Sequence, residues 1–457
     1  MALDTTDESK IDNLDSLVGY FQEGCKAKND WRIGTEHEKF PFYIDGFRPV
    51  PYEGTKGIRV LLQEMHKALG WKAILDEGNI IGLVGSANQG AISLEPGGQF
   101  ELSGALLQTI DQTYHEAAEH LTLLKKIAKP LGIGFLGIGA SPKWTLAETP
   151  RMPKSRYQIM TNYMPKVGHE GLNMMYRTST IQVNLDFSSE ADMRRKMQVS
   201  MKLQPIATAL FARSPFTEER PNGFLSWRSH IWADTDNQRA GILPFVFSEY
   251  FGFSDYVEWA LDVPMYFIVR NGHYHDCTHI TFRQFLNGAL KEEVADSTPN
   301  LGDWVNHLST LFPEVRLKRF LEMRGADSGS LQHICALSAF WVGLLYDSEA
   351  LNEAEALTKD WSYEEVLNMR QEVPQKGLKT SFRQISILEL ARQAVAISRK
   401  GLNNRKFYNA NGLDETNFLN PLEEIIAAGQ TDADKLLSYY HSIWNKSVEP
   451  VFSEYAY

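Results

Sequence analysis

ISLEPGGQFELSG, residues 92–104, decides how the chain folds. Ile92, Leu94, Phe100 and Leu102 alternate with polar residues, as the two faces of a strand require. Pro96-Gly97-Gly98 places a turn inside the strand predicted over Ala91–Leu102. TSTIQVNLDF, 178–187, alternates in the same way and predicts a half-buried strand with one working face. GTEHEKF, 34–40, lies in an extended run around Trp31–Tyr43, and Glu314–Arg324 alternates again. Pro264–Val269 and His279–Leu286 flank a polar turn and read as a hairpin.

Between these strands, helical periodicity covers Ile11–Lys26, Lys56–Leu69, Gly104–Lys129 and Ser189–Ala212. From Ser330 onward it dominates: Leu331–Tyr346, Tyr363–Arg370, Ser386–Lys400, Pro421–Gly429 and Asp432–Trp444. Antiparallel-looking strands with helices gathered late predict an α+β fold rather than a doubly wound sheet.

Composition narrows the function. With 457 residues, 43% hydrophobic content and a net charge of -11, the chain has material for a large core and a surface ill suited to nucleic acid. Length alone suggests two or three domains. Three separated cysteines, Cys25, Cys277 and Cys335, make neither a disulfide framework nor a CxxC site. The N-terminus is acidic and polar, unlike a secretory signal or an Arg-rich transit peptide. The greasiest stretch, Ala336–Tyr346, is too short to span a membrane. These features predict a cytoplasmic protein without a membrane partner.

Two motifs invite over-reading. Gly132, Gly134 and Gly137 spell GxGxxG, but a helix precedes them and Pro142 opposes the helix that must follow, so a Gly-rich buried strand is expected. His273, His275, Cys277 and His279 alternate as metal ligands on a strand would, yet they fall where a hairpin tip is expected, and polar residues collect there anyway.

The carboxylates carry more weight. Glu36 and Glu38 are two apart and share a strand face. Glu95 and Glu101 flank the Pro-Gly-Gly turn, Gln182 sits between Ile181 and Val183, and Glu322 is two residues from Arg324. Carboxylates among so many apolar neighbours need a cation to stay ionised. Oxygen-only ligands select Mg2+, with Mn2+ as the alternative, and Mg2+ chiefly serves phosphoryl transfer. Arg228 and Arg239, accompanied by Trp227 and Trp232, suit a carboxylate or phosphate group, and Met265 with Tyr266 offers a soft wall fit for a thiol.

Taken together, GTEHEKF, ISLEPGGQFELSG, TSTIQVNLDF, WRSHIWADTD, DVPMYF, FPEVRLKRFLEMRGAD and ALSAFWVGLLYD resemble the glutamate–cysteine ligases of the plant and α-proteobacterial type. The resemblance runs from about Trp31 to Arg405. It implies an α+β fold whose curved, mainly antiparallel sheet forms a funnel, distantly similar to glutamine synthetase. It also implies one catalytic domain over 1–457 whose part from 330 is mostly helical.

The implied activity is ATP-dependent joining of the γ-carboxylate of glutamate to the amine of cysteine, the first step of glutathione synthesis. Glu36, Glu38, Glu95, Glu101, Gln182 and Glu322 map onto the metal-binding face. Arg324 falls near the transferring phosphate, Arg228 and Arg239 hold substrate carboxylates beside Trp232, and Met265 and Tyr266 border the cysteine pocket.

Departures from the family qualify the expectation. The transit peptide of plant members is not seen, which favours a bacterial cytosolic enzyme. Some plant members join a cysteine of the first long helix to one resembling Cys335; here Gly104–Lys129 has none, and Tyr114 stands near the matching place. The second plant pair uses a cysteine resembling Cys277, and 278–300 offers it no partner. A thiol-insensitive monomer is expected.

Overall fold

In the computed structural model, which describes residues 5–86 and 89–457, the run around Glu36 is strand β1 (Ile33–Tyr43). Eight strands join it: β2 (Lys72–Asp76), β3 (Asn79–Val84), β4 (Ala91–Leu94), β5 (Phe100–Ser103), β6 (Ile133–Leu136), β7 (Thr180–Leu185), β8 (Val315–Leu317) and β9 (Leu321–Asp327). Their order is β8-β9-β7-β1-β5-β4-β3-β2, with β6 beside the second half of β1. All these pairings are antiparallel, so the fold is α+β, as the alternating segments predict.

The stretch 92–104 is two strands and a turn. Ile92 pairs with Leu102 and Leu94 with Phe100, while Gly98 takes a positive φ of 87°. The turn is pinned to the chain before β7, because Gln99 Nε2 donates to the carbonyls of Thr178 (2.7 Å) and Met175 (3.2 Å). A Cβ on Gly97 would meet the Tyr176 carbonyl oxygen at 2.2 Å, so this close approach requires glycine.

One face of the sheet makes core. Ile181, Val183 and Leu185 of β7 pack with helix Leu331–Leu345, and Ile92, Leu94, Phe100 and Leu102 pack with Leu124 and Ala128 of helix Ile110–Ala128. Ala336–Tyr346 is thus the buried centre of the molecule, and among the described residues no single helix is long and apolar enough to cross a membrane. The described elements beyond 330 are helices apart from the short pair Ser381–Phe382 and Ile385–Ser386.

Three local expectations need correction. The hairpin pairs Phe267–Arg270 with His273–Asp276 around Asn271-Gly272, both at positive φ. The His-rich segment is therefore a strand and not a tip, and Asn-Gly is the turn signal that marks it. Residues 279–286, expected to be the returning strand, hold instead the helix Phe282–Leu286, because Thr281 and Gln284 form a capping box. The long helix starts at Ile110 rather than Gly104, since Gly104 N still donates to the Thr35 carbonyl and Thr109 caps the helix. The GxGxxG stretch is the buried strand β6, where a Cβ on Gly134 would meet the Phe42 ring at 2.6 Å.

Candidate active site

Strand register gathers the predicted carboxylates. Glu38 lies opposite Glu101, which lies opposite Ser93; Glu36 lies between Gln182 and Ser103; Glu322 lies opposite Asn184 and Arg316. Because alternate residues share a face, Glu36, Glu38, Glu101, Gln182 and Glu322 all leave the sheet on the side away from the helices Ile110–Ala128 and Leu331–Leu345. Glu95 joins them from the end of β4, and it raises the energy of a negative charge on Glu38.

Their surroundings are hostile to charge. Burial, then Glu322 and Glu101, push the Glu36 carboxyl up; burial, then Glu95 and Glu101, push Glu38 well up. The compensating contacts are few: Thr180 N donates to Glu38 at 3.0 Å, Asn184 Nδ2 to Glu36 at 2.9 Å, and Ser93 and Ser103 donate to Glu101 at 2.6 and 3.1 Å. Glu322 is the exception. Burial pushes its carboxyl up, but Arg316, Lys318 and Arg324 outweigh that and hold it well below the usual range. It pairs with Arg316 at 2.7 Å, with Lys318 at 2.8 Å and with Arg324.

Around Glu36 and Glu38 this donor set fits divalent cations by its chemistry: crowded, buried oxygens that repel one another and have few protein donors. Among the described residues no three acidic, His or Cys side chains close on one point as a finished metal cage. An open row of carboxylates suits Mg2+, which takes one or two of them and completes its shell with water and phosphate oxygens.

A cavity of about 100 Å3 opens over this face. Glu38, Glu95, Gln182, Arg228, Trp232 and Arg324 line it, so six of the residues predicted from sequence meet there. Arg324 Nη1 donates to Gln182 Oε1 at 2.7 Å, and Arg228 Nη2 donates to the Arg324 carbonyl at 3.0 Å, which ties the Arg228 side chain to the backbone of Arg324. Asp327 steadies Arg228 electrostatically while accepting from Ser214 and Ser226 at 2.6 and 2.9 Å. The indole Nε1 of Trp232 is a buried donor for which no protein partner is seen.

The remaining predicted contacts lie behind the cavity wall. Arg239 is fully buried; its Nε donates to Asp236 (2.6 Å), and its Nη atoms donate to the carbonyls of Thr310 (3.2 Å) and Pro264 (2.7 Å). It stacks on the Tyr266 ring at 3.9 Å. A guanidinium so engaged is not offered to a substrate carboxylate, which corrects the reading of Arg239 as a direct contact. Met265 and Tyr266 are likewise enclosed, with Tyr266 OH directed to Met164 Sδ at 3.7 Å and its ring against Tyr163. They too are corrected from lining to support.

Other lining residues escaped sequence reasoning. Tyr157, Met160, Met174 and Met175 come from the helices Ser155–Tyr163 and Gly171–Arg177. Arg316 in β8 and Lys318 just after it also went unread, although both pair with Glu322. The three cysteines are free, and burial pushes the Cys277 and Cys335 thiols up to about 12.

Residues 32–454 match the family described as glutamate-cysteine ligase family 2. The chain belongs to this family. Similar relatives include the chloroplastic glutamate–cysteine ligase A of Oryza sativa subsp. indica, 53% identical over 443 residues, covering 97% of this chain and 88% of the relative. The chloroplastic glutamate–cysteine ligases of Nicotiana tabacum (54% identical, 97% of this chain, 83% of the relative) and Arabidopsis thaliana (53%, 97% and 83%) stand close to it. The chain is therefore a ligase of the plant type. Those relatives overturn the expected cytoplasmic setting, since their chloroplastic names point to a plastid.

Among solved structures, the glutamate–cysteine ligase of Francisella tularensis in complex with AMP superimposes with a TM-score of 0.53 at 12% identity, over 93% of this chain and 89% of that one. A bifunctional glutathione synthetase from Pasteurella multocida gives 0.50 at 11%, over 97% of this chain and 53% of that one. At these identities the likeness is one of fold.

Proposed function

We propose that this ligase joins the γ-carboxylate of L-glutamate to the amine of L-cysteine, using ATP, to give γ-glutamylcysteine, ADP and phosphate. The product feeds glutathione biosynthesis. The observation that carries the reading is the row of buried carboxylates on one sheet face, with Glu38 and Glu95 sharing one cavity with Arg228 and Arg324, in a chain of this family.

A carboxylate is a poor electrophile, so the γ-carboxylate first takes the terminal phosphoryl group of ATP, giving an acyl phosphate and ADP. The amine then attacks the activated carbonyl, an amide bond forms, and phosphate leaves with its oxygen. Arg324, at the cavity wall, faces the transferring phosphoryl group and offsets charge that grows on its oxygens. Arg228 holds the α-carboxylate of a substrate, and Trp232 Nε1 supplies a further donor. Tyr157, Met160, Met174 and Met175 keep water from the acyl phosphate and give the thiol a polarisable wall.

Mg2+, with Mn2+ as the alternative, neutralises phosphate oxygens when bound, and Glu36, Glu38, Glu95, Glu101 and Gln182 would hold it. Glu322 completes the set by its place on the face, where a cation would displace one of its three basic partners. Arg239 keeps Asp236, Thr310 and Pro264 in register behind the site. The chain is read as one catalytic unit acting as a monomer.

The test is Mg2+-dependent ADP release with glutamate, scanned across amines. Cysteine should give the highest kcat/KM and a γ-glutamyl product by mass. A different preferred amine, or no release with glutamate and cysteine, would reject the reading.

A further inference from the structure

The even-numbered positions of β1 that begin as Glu36 and Glu38 continue as Phe40 and Phe42, and there the neighbourhood becomes apolar. A second cavity, of about 460 Å3, opens where β1 and β6 meet the end of helix Ile110–Ala128 and the helix Pro450–Glu454. It is several times larger than the space over the carboxylates and shares no lining residue with it.

Phe42, Phe47, Phe135 and Phe452 line it, with Ile133 among them. The Phe452 ring sits 5.0 Å from Phe42 and 5.1 Å from Phe47, so the wall is preformed by mutual aromatic contact. Gly134 leaves the Phe42 ring uncovered, since any Cβ there would strike it. The polar groups inside are already satisfied within the protein: Tyr457 OH donates to the Gly329 carbonyl, and Ser453 Oγ donates to the Pro450 carbonyl at 3.1 Å. What remains to a ligand in the interior is therefore hydrocarbon and aromatic surface.

The rim is different. Lys125 and Lys129 stand on consecutive turns at the end of the helix, both exposed, and among the described residues no carboxylate pairs with either or lines the cavity. An apolar cavity with two unpaired cations at one edge is complementary to a molecule with an apolar body and an anionic head. We propose that this cavity binds a medium-chain aliphatic carboxylate, with its chain among the phenylalanines and its head group between Lys125 and Lys129. The aliphatic body follows from an interior whose two side-chain hydroxyls, among the described residues, are already bonded within the protein. The site lies apart from the carboxylate row, so it stands independently of the reaction proposed above.

Isothermal titration of the full chain with octanoate, decanoate and dodecanoate tests this. One-to-one binding is expected, tightening about fourfold for each added methylene until the cavity is filled. Decanol and decyltrimethylammonium should bind about tenfold more weakly than decanoate. The double variant Lys125→Glu/Lys129→Glu should lose that preference for the carboxylate, and Ser453→Trp, which fills the mouth, should abolish binding. All variants should keep their thermal midpoint and rate of ADP release. Equal affinity for the three head groups, or an unchanged decanoate affinity in the lysine variant, would overturn the proposal. So would an absence of heat combined with concentration-dependent dimers that Ile44→Lys disperses, because a second copy would then be the occupant.

Discussion

Strand β1 buries polar side chains on both its faces, and the two faces meet that demand differently. On the odd-numbered side Thr35, His37 and Lys39 lie in the interior. Lys39 Nζ reaches only the His37 carbonyl (3.3 Å), His120 Nε2 (3.2 Å) and the Phe100 ring (6.0 Å). Burial pushes Lys39 down to about 7, and burial followed by Lys39 holds His37 and His120 well below the usual histidine range. That side meets burial by shedding charge. On the even-numbered side Glu36 and Glu38 are also pushed toward neutrality, but Glu38 borders the cavity that Arg228 and Arg324 line. A buried charge without an opening is a structural liability, and one beside an opening is a binding site.

The comparison is broken most severely at Glu322. Glu322→Gln leaves Arg316, Lys318 and Arg324 without a fully charged partner, so about 3–5 kcal/mol of stability should be lost in urea unfolding, together with activity. Unchanged unfolding would show that the three cations have other anchors. Next is Arg228→Ala, which should raise the KM for an amino-acid substrate by roughly ten- to a hundredfold while moving that for ATP far less. Equal effects on both would remove Arg228 from carboxylate binding.

The smallest effect lies on the odd face. Lys39 titrates at about 7 in the folded chain against 10.5 as its ordinary value, so between those limits the unfolded chain binds more protons. Stability should therefore rise with pH across that window. Lys39→Met should be more stable at neutral pH and should show a flatter rise, as measured by chemical denaturation at several pH values. A steeper rise in the variant would mean that Lys39 is charged and paired in the folded protein.

Much of this was legible before any coordinates. The carboxylates announced themselves by interrupting apolar alternation; strand parity put Glu36 and Glu38 on one face, the family resemblance implied that the others join it, and the register of β1, β5, β7 and β9 brings Glu36, Glu38, Glu101, Gln182 and Glu322 to one side. Arg239 looked the same as Arg228 in sequence, eleven residues away, yet the loop between them turns one guanidinium to the cavity and buries the other on Asp236. No periodicity encodes that turn. The methionine wall was equally hidden, because 155–163 and 171–177 carry no clear periodicity in the sequence and only the structure shows them as helices docked at the cavity. By contrast, Asn271-Gly272 and the Thr281–Gln284 cap were readable and would have corrected the hairpin.

The central claim, that the even face of β1 and its neighbours forms a metal-dependent phosphoryl-transfer surface, is tested most directly at Glu101. It lies opposite Glu38, and its two serine donors would hold a glutamine in place. ADP release with glutamate and cysteine should be titrated with Mg2+ for the unaltered chain and for Glu101→Gln, with the thermal midpoint as a control for folding. The account predicts a rate lower by about 10²–10³-fold and a shift of the Mg2+ midpoint to higher concentration, with the fold intact. An unaltered rate at an unaltered Mg2+ midpoint would contradict it.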